Sequence, residues 1–510
     1  MKNKETAFVT MKDHGDQRRS KIRKSIRKHM VLVMFLLFLS LNFIASVSAG
    51  ITTGEGPNLG EDRITMEDIC MLPLKAIQDA GLRIFSTPFN KLDGYGDGPL
   101  DPNEGDPILL GNRPTLQHNG TFLRVNGLDG QSCLECHFIG RNSTIPATFG
   151  IGGTSGPVAN AIQMPSFIDV AEMNPGDFNG RFINPPQLFG IGGIELVARE
   201  MTAELQKLKA EAISNPDTPV SLNVKGVCFG TITADGDGNI DPNGIIGIDD
   251  DLVVRPFGRK GEFFRVRDFD LTALQFHFGM QPVEVVGAGV DADNDCVPDE
   301  ILIGEVSAIH IFVTTLPKTL IEKPTPKILE GYKLFRQIGC TYCHTPFFVT
   351  ESRILTYSYP EDATDPTADI YDQANLTAAA GFRPAPSGGL IVQAFSDFKR
   401  HDMGPGLAES FDLADEQMNR EFISASLRGV RDTAPYLHDG RATTITEAIL
   451  MLGGEAQTAR DTFADLNQAD KDKLIAFLYS LRTPLTNSSL GSRQSGNDPG
   501  GEDILFSLGK

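Results

Sequence analysis

The residues best suited to do chemistry are two copies of one pentapeptide, Cys-x-x-Cys-His, at residues 133–137 and 340–344. Two thiols at this spacing can each add to one vinyl group of a single porphyrin, and the histidine that follows then offers a nitrogen to the iron. The alternative is a pair of redox or zinc-binding Cys-x-x-Cys motifs that happen to precede histidine. We expect two covalent c-type haems, attached through Cys133, Cys136, Cys340 and Cys343, with His137 and His344 as the iron ligands.

The beginning of the chain has the pattern of an export signal. A basic stretch at 18–28 is followed by an apolar run at 31–39 and a small-residue pattern at 47–50. The apolar run is short for a membrane span, which needs about 20 apolar residues. We therefore predict a signal peptide at 1–49, cleaved after Ala49, and a periplasmic protein without a stable membrane span; an uncleaved membrane anchor is the alternative.

The charge balance is acidic. The chain of 510 residues has 46 lysines and arginines against 66 aspartates and glutamates, a formal net charge of −20. This argues against a nucleic-acid partner, because phosphates require a basic patch. It suits a soluble protein that meets a basic electron carrier.

Apolar periodicity places a helix on each side of each motif. Helical spacing occurs at 69–85 and 306–316 around the first motif, and at 328–338 and 471–481 around the second. The chain therefore repeats the order helix, motif, loops, helix. We predict a mainly α protein that is loop-rich, with its N-terminal domain at 50–317, its C-terminal domain at 318–485 and a disordered tail at 486–510, which is rich in serine, glycine and asparagine.

Two Gly/Asp-rich stretches, at 235–241 and 291–300, look like insertions in the first half. Alternating aspartates can direct oxygens at one point, as calcium loops do, although Leu302 stands where an EF-hand has glutamate. Calcium ligation by Asp291, Asp293 and Asp295 is one interpretation, and ordinary solvated turns are the other. Three cysteines lie outside the motifs; a disulfide between Cys228 and Cys296 is conceivable in an oxidising compartment, and Cys70 is expected to be buried.

Several segments resemble a known family. The sequence LRGVRDTAPYLHDGR at 427–441 resembles the LRNVALTAPYMHDG segment of bacterial di-haem cytochrome c peroxidases. The segments at 396–405, 447–456 and 186–195 are similar to the di-haem oxidoreductase branch of that superfamily, whose members carry peroxidase or thiol oxidoreductase names. The resemblance extends over residues 65–485, with interruptions at the insertions.

The resemblance implies both a fold and an activity. It implies two cytochrome-c-like helical domains packed face to face, each with one haem. One haem would accept electrons from a small periplasmic donor, a cytochrome c or a cupredoxin, and the other would reduce hydrogen peroxide. The family places the peroxide at the N-terminal haem, here the one on His137. A homodimer is expected only by the same analogy.

Four side chains are candidates for roles around the haems. Glu195 follows an apolar, glycine-rich segment where low polarity would raise its pKa, so we predict that it transfers protons during O–O cleavage. Arg181 would pair with a haem propionate or polarise the departing oxygen. Arg428 and Arg441 are predicted propionate partners. The alternatives are a surface carboxylate for Glu195 and a structural salt bridge for Arg181.

The ligand opposite His137 decides between enzyme and carrier. No histidine lies between His137 and His277. Either the first iron keeps an open coordination position, as peroxide binding requires, or Met164, Met173 or a distant histidine reaches it. We expect the open position, and we expect His277 and His310 to be satisfied core residues.

The second haem departs from the family pattern. Leu452 stands immediately before Gly453 and Gly454, where the di-haem oxidoreductase branch has histidine, and leucine cannot bind iron. Met451 or Met403 is the predicted distal ligand, and a thioether there would raise the reduction potential relative to a second histidine. Core filling is the alternative for both.

The chain contains no tryptophan. In the family a tryptophan lies between the haems as an electron relay, and electrons must take another path here. Two other functions stay open: an electron carrier with both irons six-coordinate, and an oxidase of an organic or thiol substrate.

Overall fold

The computed structural model describes residues 56–96, 131–137, 139, 184–292, 295–365, 368–409, 416–484 and 501–509. The predicted signal peptide lies outside the described residues, as do Met164, Met173, Arg181 and Asp293. Within the described ranges, the helices are α1 Met66–Met71, α2 Leu74–Ser86, α3 Ile191–Ser214, α4 Val266–Phe278, α5 Val283–Val286, α6 Ile303–Thr314, α7 Pro326–Gln337, α8 Leu376–Ala380, α9 Glu416–Arg420, α10 Ile445–Met451, α11 Gln457–Asp465, α12 Gln468–Leu478 and α13 Gly501–Gly509.

The strands are short and form small antiparallel sheets. Helical residues outnumber strand residues, which agrees loosely with the predicted mainly α class. The sheets are β1–β2–β3, β5–β9–β8, and the pairs β4–β12, β6–β7 and β10–β11. Their strands are β1 Val220–Val224, β2 Val227–Ala234, β3 Ile240–Asp241, β4 Leu320–Ile321, β5 Phe347–Val349, β6 Ile354–Ser358, β7 Ile370–Asn375, β8 Arg383–Pro384, β9 Leu390–Gln393, β10 Arg400–Asp402, β11 Glu421–Ile423 and β12 Leu481–Arg482.

The predicted helix before and after each motif is confirmed, and each pair crosses at a glycine. In the first half α2 packs on α6, where a Cβ on Gly81 would lie 2.1 Å from the carbonyl oxygen of Ala308. In the second half α7 packs on α12, where a Cβ on Gly331 would lie 2.0 Å from the carbonyl oxygen of Lys473. The absence of a side chain therefore sets the same close helix crossing twice.

An aromatic pair follows each crossing at the same spacing. Phe85 lies four residues after Gly81 and contacts Phe312 of α6, with ring centroids 5.6 Å apart. Phe335 lies four residues after Gly331 and contacts Phe477 of α12 at 5.1 Å. The internal repeat thus extends to individual side chains.

Local sequence signals explain where these helices begin. Thr325 caps α7 by accepting from the backbone N–H of Ile328, and Pro326 occupies the first turn, where its missing N–H costs nothing. Asn467 caps α12 through the N–H of Asp470. In the first half, Pro73 interrupts the predicted helix at 69–85 and divides it into α1 and α2.

Residues 57–510 form one compact unit that contains two clusters of buried apolar side chains. The first cluster is built mainly from residues 59–316 and the second from residues 321–505. Side chains from Phe348 to Phe398 pack in the first cluster although they follow the predicted boundary at 317–318. The part of the chain after the predicted boundary therefore contributes to both clusters.

The predicted disordered tail needs a correction at its end. Residues 501–509 form α13, in which Leu505 is fully buried in the second cluster. Glu502 forms a buried ion pair with Lys318, and the Phe506 ring meets Phe347 at 5.6 Å. Apolar residues at helical spacing bury one face of this segment, which outweighs its flanking glycines.

In the part of the chain that the structure describes, no helix combines the length and the apolar character that crossing a bilayer requires.

Replacing Gly331 by alanine should lower the free energy of unfolding by about 1–3 kcal/mol, because the new methyl group meets the Lys473 carbonyl and forces the helices apart. Urea unfolding of the purified protein measures the change. Gly236→Ala is the matched control, since a Cβ there meets nothing within 4 Å. Equal stability of the two variants would contradict the proposed role of the crossing.

Candidate haem sites

Each motif forms one short helical turn that brings its histidine back over its first cysteine. Cys133–Glu135 and Cys340–Tyr342 are 3-10 helices. The N–H of His137 donates to the Cys133 carbonyl at 2.9 Å, and the N–H of His344 donates to the Cys340 carbonyl at 3.0 Å. Gly339 enters the second turn with φ of 94°, a conformation that suits glycine.

The two histidine rings are held in the same way. Nδ1 of His137 lies 3.0 Å from the carbonyl oxygen of Pro186, and Nδ1 of His344 lies 3.0 Å from that of Phe395. A carbonyl can only accept, so Nδ1 carries the proton and Nε2 keeps its lone pair. This is the arrangement that orients metal-binding histidines and fixes their tautomer.

Both rings also pack against the repeat described above. Phe85 contacts His137 with centroids 6.5 Å apart, and Phe335 contacts His344 at 6.4 Å. Burial lowers the pKa of His137 to about 4 and lowers that of His344, although their backbone partners oppose the shift. Both imidazoles are therefore neutral, which is the form that binds iron.

The thiols do not resemble those of a redox pair. Burial raises the pKa of Cys133 well above its usual value and raises that of Cys340 to about 12, whereas reactive redox cysteines have lowered pKa values. Among the described residues, no group of three or more histidine, cysteine, aspartate or glutamate side chains is placed to hold a metal ion directly. The raised pKa values therefore argue against a redox pair of cysteines.

Arg428 offers an independent fit to the haem. Its side chain is buried, and burial lowers its pKa to about 10. Its acceptors are the carbonyls of Phe189 and Gln187 and the hydroxyl of Ser426, and no described carboxylate forms an ion pair with it. A buried cation without an anion is costly, and a propionate would neutralise it. Arg441, the other predicted propionate partner, already pairs with Asp439 at 2.5 Å.

Glu195 lies at the centre of a buried network of charges. Its side chain is fully buried in α3 and accepts from Arg199 at 2.9 Å and from the backbone N–H of Val266 at 2.9 Å. Nε2 of His310, on α6, lies 3.1 Å from Oε2 of Glu195. Arg199 also pairs with Glu361, 2.5 Å away. The surface-carboxylate alternative for Glu195 is therefore wrong.

The glycines before Glu195 explain this position. A Cβ on Gly192 would lie 2.0 Å from the carbonyl oxygen of Thr314, and one on Gly193 would lie 2.4 Å from the Phe382 ring. Their absence lets the start of α3 approach the end of α6 and brings Glu195 against His310. His310 is a buried core residue whose Nε2 contacts Glu195, while its Nδ1 has no hydrogen-bond partner among the described residues.

The expected electrostatics of Glu195 are wrong. Burial does act to raise its pKa, but the nearby charges of His310 and Arg199 and the accepted hydrogen bonds outweigh burial and lower the pKa to about 2. Glu195 is therefore ionised at neutral pH and a weak proton acceptor. The apolar residues next to Glu195 along the chain predict a raised pKa, but partners from other helices reverse the shift.

Asp270, which the sequence reasoning missed, has the opposite behaviour. It lies on α4, and burial raises its pKa well above the usual value despite the opposing charge of Arg267. Its Oδ2 atom is buried without a hydrogen-bond partner among the described residues. The charge of Asp270 also acts on Cys133, so this carboxyl lies near the first motif. The sequence gives no signal for it, because α4 also carries the charged residues Arg267 and Asp268.

His401 joins two of the segments singled out by resemblance. Its ring lies 3.0 Å from Asp397 and 2.8 Å from Glu455, and its Nδ1 lies 3.7 Å from the sulfur of Cys343. Burial opposes the charged form, but the bonds to Asp397 and Cys343 raise the pKa of His401 to about 11. The segments 396–405 and 447–456 therefore meet beside the second motif.

Part of the chain is similar to known proteins. Residues 319–481 match the family model described as "Di-haem oxidoreductase, putative peroxidase". A cytochrome-c peroxidase of Denitromonas iodatirespirans is 30% identical over 154 residues, which are 30% of this chain and 38% of the relative. Cytochrome c551 peroxidase of Nitrosomonas europaea is 27% identical over 154 residues, 30% of this chain and 33% of the relative.

Over residues 319–481, the chain is similar to the di-haem peroxidase superfamily.

The matches cover part of each protein. The chain spans between a third and two fifths of the length of the curated relatives it matches. A crystal structure of a MauG-like protein associated with microbial copper homeostasis aligns with 61% of this chain and 93% of its own at 16% identity, with a TM-score of 0.28. This TM-score is too low to support a structural comparison. The family match contains the second motif, while the first motif lies before it.

The distal iron ligand stays a prediction at both candidate sites. Met451 is the last residue of α10 and is 36% exposed. The backbone N–H of Met403 donates to the Arg420 carbonyl at 2.9 Å, which anchors the chain but not the thioether. Leu452 follows α10 as its C-cap.

The aspartates predicted to bind calcium form turns among the described residues. Asp291 accepts from the backbone N–H groups of Asp295 and Cys296, and Asp295 accepts from that of Val297. These contacts match the solvated-turn alternative, and calcium binding stays an untested prediction.

The cysteines outside the motifs are free thiols. Cys228 and Cys296 are both exposed and form no disulfide. Cys70 is exposed rather than buried, because α1 turns the neighbouring Ile69 toward the core instead.

Changing Cys340 and Cys343 together to alanine should remove the mass of one haem from the denatured protein and leave the other attached, because each cysteine pair binds one porphyrin. Mass spectrometry of the denatured chain measures this. The matched variant changes Cys133 and Cys136. Retention of two haems by either variant would contradict the assignment of one haem to each motif.

Replacing Glu195 by glutamine should lower the free energy of unfolding at neutral pH by about 3–5 kcal/mol, because Arg199 and His310 lose a buried anion. The pKa of Glu195 is lower in the folded protein, so the wild-type advantage is complete above about 4.5 and disappears as the pH falls toward about 2. Urea unfolding at several pH values measures it. Glu330→Gln, on the surface of α7, should change little, and a pH-independent difference would contradict the analysis.

Proposed function

We propose that the protein is an exported, periplasmic di-haem c-type oxidoreductase that reduces hydrogen peroxide to water. Hydrogen peroxide, two electrons and two protons would give two waters. The electrons would come from a small periplasmic donor, a cytochrome c or a cupredoxin. The similarity of residues 319–481 to the di-haem oxidoreductase family supports the reaction class, and the names of the curated relatives support peroxide as the acceptor.

One observation carries the proposal: the two motif histidines, His137 and His344, hold the same tautomer, in which Nε2 keeps its lone pair and would bind the iron of a haem. A single motif would suit a simple carrier. Two equivalent sites suit a division of labour, in which the second haem receives electrons and the first meets peroxide. That order follows the family resemblance.

The residues around the first site determine how protons reach the reaction. Bound haem would supply an iron that exchanges electrons and coordinates peroxide. Glu195 is an ionised, fully hydrogen-bonded anion, so we assign it the positioning of Arg199 and His310. The buried Oδ2 of Asp270 is the atom proposed to hold a proton, because burial raises the pKa of this carboxyl well above its usual value and Oδ2 has no hydrogen-bond partner among the described residues.

A second candidate function is a di-haem electron carrier without a substrate. The ion-paired state of Glu195 favours it, since the carboxylate predicted to transfer protons is occupied by its partners. The two functions differ in what peroxide does to the first haem.

Adding peroxide to the partly reduced protein should change the absorption of one haem only and should oxidise a reduced donor cytochrome catalytically. Stopped-flow absorption with both haems present measures this. Two low-spin haems whose spectra do not respond to peroxide would contradict the peroxidase proposal and establish the carrier.

Replacing Asp270 by asparagine should slow peroxide turnover strongly while both haem spectra stay close to wild type, because the amide cannot release a proton. Steady-state turnover with a reduced cytochrome measures the loss. Asp472→Asn, on the exposed face of α12, is the control and should turn over normally. Full activity of the Asp270 variant would remove this residue from the mechanism.

A further inference from the structure

The two carbonyls that fix the motif histidines belong to segments that meet each other. Pro186 precedes α3, and its carbonyl accepts from His137. Phe395 follows β9, and its carbonyl accepts from His344. The segment 426–428 contacts the Phe395 carbonyl directly and contacts Gln187, the neighbour of Pro186.

Gln187 makes the connection from the first site. Its backbone is joined directly to the Pro186 carbonyl, and its side-chain Nε2 donates to the backbone carbonyl of Arg428 at 3.2 Å. One residue earlier in the chain, the N–H of Leu427 donates to the Phe395 carbonyl at 3.4 Å. A continuous path of covalent and hydrogen bonds therefore runs from His137 to His344.

The Arg428 side chain adds a parallel route. Its Nε donates to the Phe189 carbonyl at 3.1 Å, and its Nη1 lies 3.4 Å from the hydroxyl of Ser426. That hydroxyl donates to the carbonyl of Ala394, the neighbour of Phe395. Links therefore run in both directions between the two segments.

The path is shielded from water at its centre. Gln187 and Arg428 are each 7% exposed, and Phe189 and Phe395 are fully buried. The Gln187 amide is also fixed at its other end, because its Oε1 accepts from the N–H of Phe189 at 2.8 Å. Hydrogen bonds in such surroundings are strong and hold one geometry.

We propose that Gln187 is the central positioning residue of a hydrogen-bonded bridge that couples the two haem sites electronically. The inference rests on the proposed di-haem function. It answers a requirement of this chain, which has no tryptophan to place between the haems. One electron would pass along the bridge, oxidising the C-terminal iron by one unit and reducing the N-terminal iron by one unit. A one-electron reductant would then return one electron to the C-terminal iron. The protons of the bridging hydrogen bonds would stay on their donors.

The coupling depends on a contiguous set of contacts rather than on distance alone. Removing the Gln187 amide breaks its link to the Arg428 carbonyl, while the contacts of the Arg428 side chain and both histidine–carbonyl bonds stay in place. The haems should therefore keep their spectra and lose speed of exchange. A merely structural role for Gln187 would affect stability and leave the exchange rate unchanged.

Replacing Gln187 by methionine, which keeps the chain length and removes the donor, should slow electron exchange between the haems several-fold. The full-length protein with both haems is reduced by a pulse of a one-electron reductant, and the absorption of each haem is followed in time. Haem content and both reduction potentials are measured on the same sample. Ser426→Ala, which interrupts the parallel route, should slow the exchange less and serves if Gln187→Met does not fold.

Asn184→Leu is the matched control. The Asn184 side chain donates to the carbonyls of Pro435 at 2.8 Å and Leu437 at 2.9 Å. It therefore joins the chain before α3 to residues 435–437, away from the bridge. It should leave the exchange rate unchanged. Equal slowing in Asn184→Leu, or a wild-type rate in Gln187→Met with both haems bound, would overturn the bridge and leave the peroxidase proposal standing. Fewer than two haems in the wild-type protein would instead refute the proposed function.

Discussion

The hydrogen bond from Nδ1 of each motif histidine to a backbone carbonyl is the constraint on which both sites depend. It sets the tautomer, leaves Nε2 available to the iron of a haem and ties each motif to a distant segment of the chain. Because the acceptors are backbone carbonyls, they cannot be exchanged by mutation of a side chain; only movement of the segments breaks the bond. The positions of Pro186 and Phe395 thus decide whether the sites exist, and the rest of the fold serves to place those two carbonyls.

The repeated helix pair does that placing. Gly81 and Gly331 bring two helices close together in each half, and Phe85 and Phe335 then support the histidine rings. A close crossing leaves little freedom for sliding, since a well-packed interface resists small displacements. The same solution appears twice in one chain although the loops between motif and closing helix differ in length and content.

Local patterns predicted what local physics determines. The motifs, the helices around them and the caps of α7 and α12 could be read from residue type and spacing. The surroundings of Glu195 could not, because His310 and Val266 reach it from α6 and α4 and reverse the effect of burial on its pKa. The helix α13 was missed for a different reason: glycine and serine before it suggested disorder, and its stability comes from tertiary contacts such as the Lys318–Glu502 pair.

The buried charged residues are of two kinds: some are neutralised by other residues of the protein, and one would be neutralised by a bound group. Glu195, Arg199, Glu361 and Arg265 neutralise each other, so the protein alone accounts for them. Arg428 has carbonyls around its guanidinium and no described carboxylate, so the protein alone leaves a charge in a medium of low polarity. An anion that arrives with the haem would remove that cost, and folding around the second site would then be coupled to haem attachment. Since Arg428 also takes part in the bridge to Gln187, the same binding event would fix the connection between the two sites.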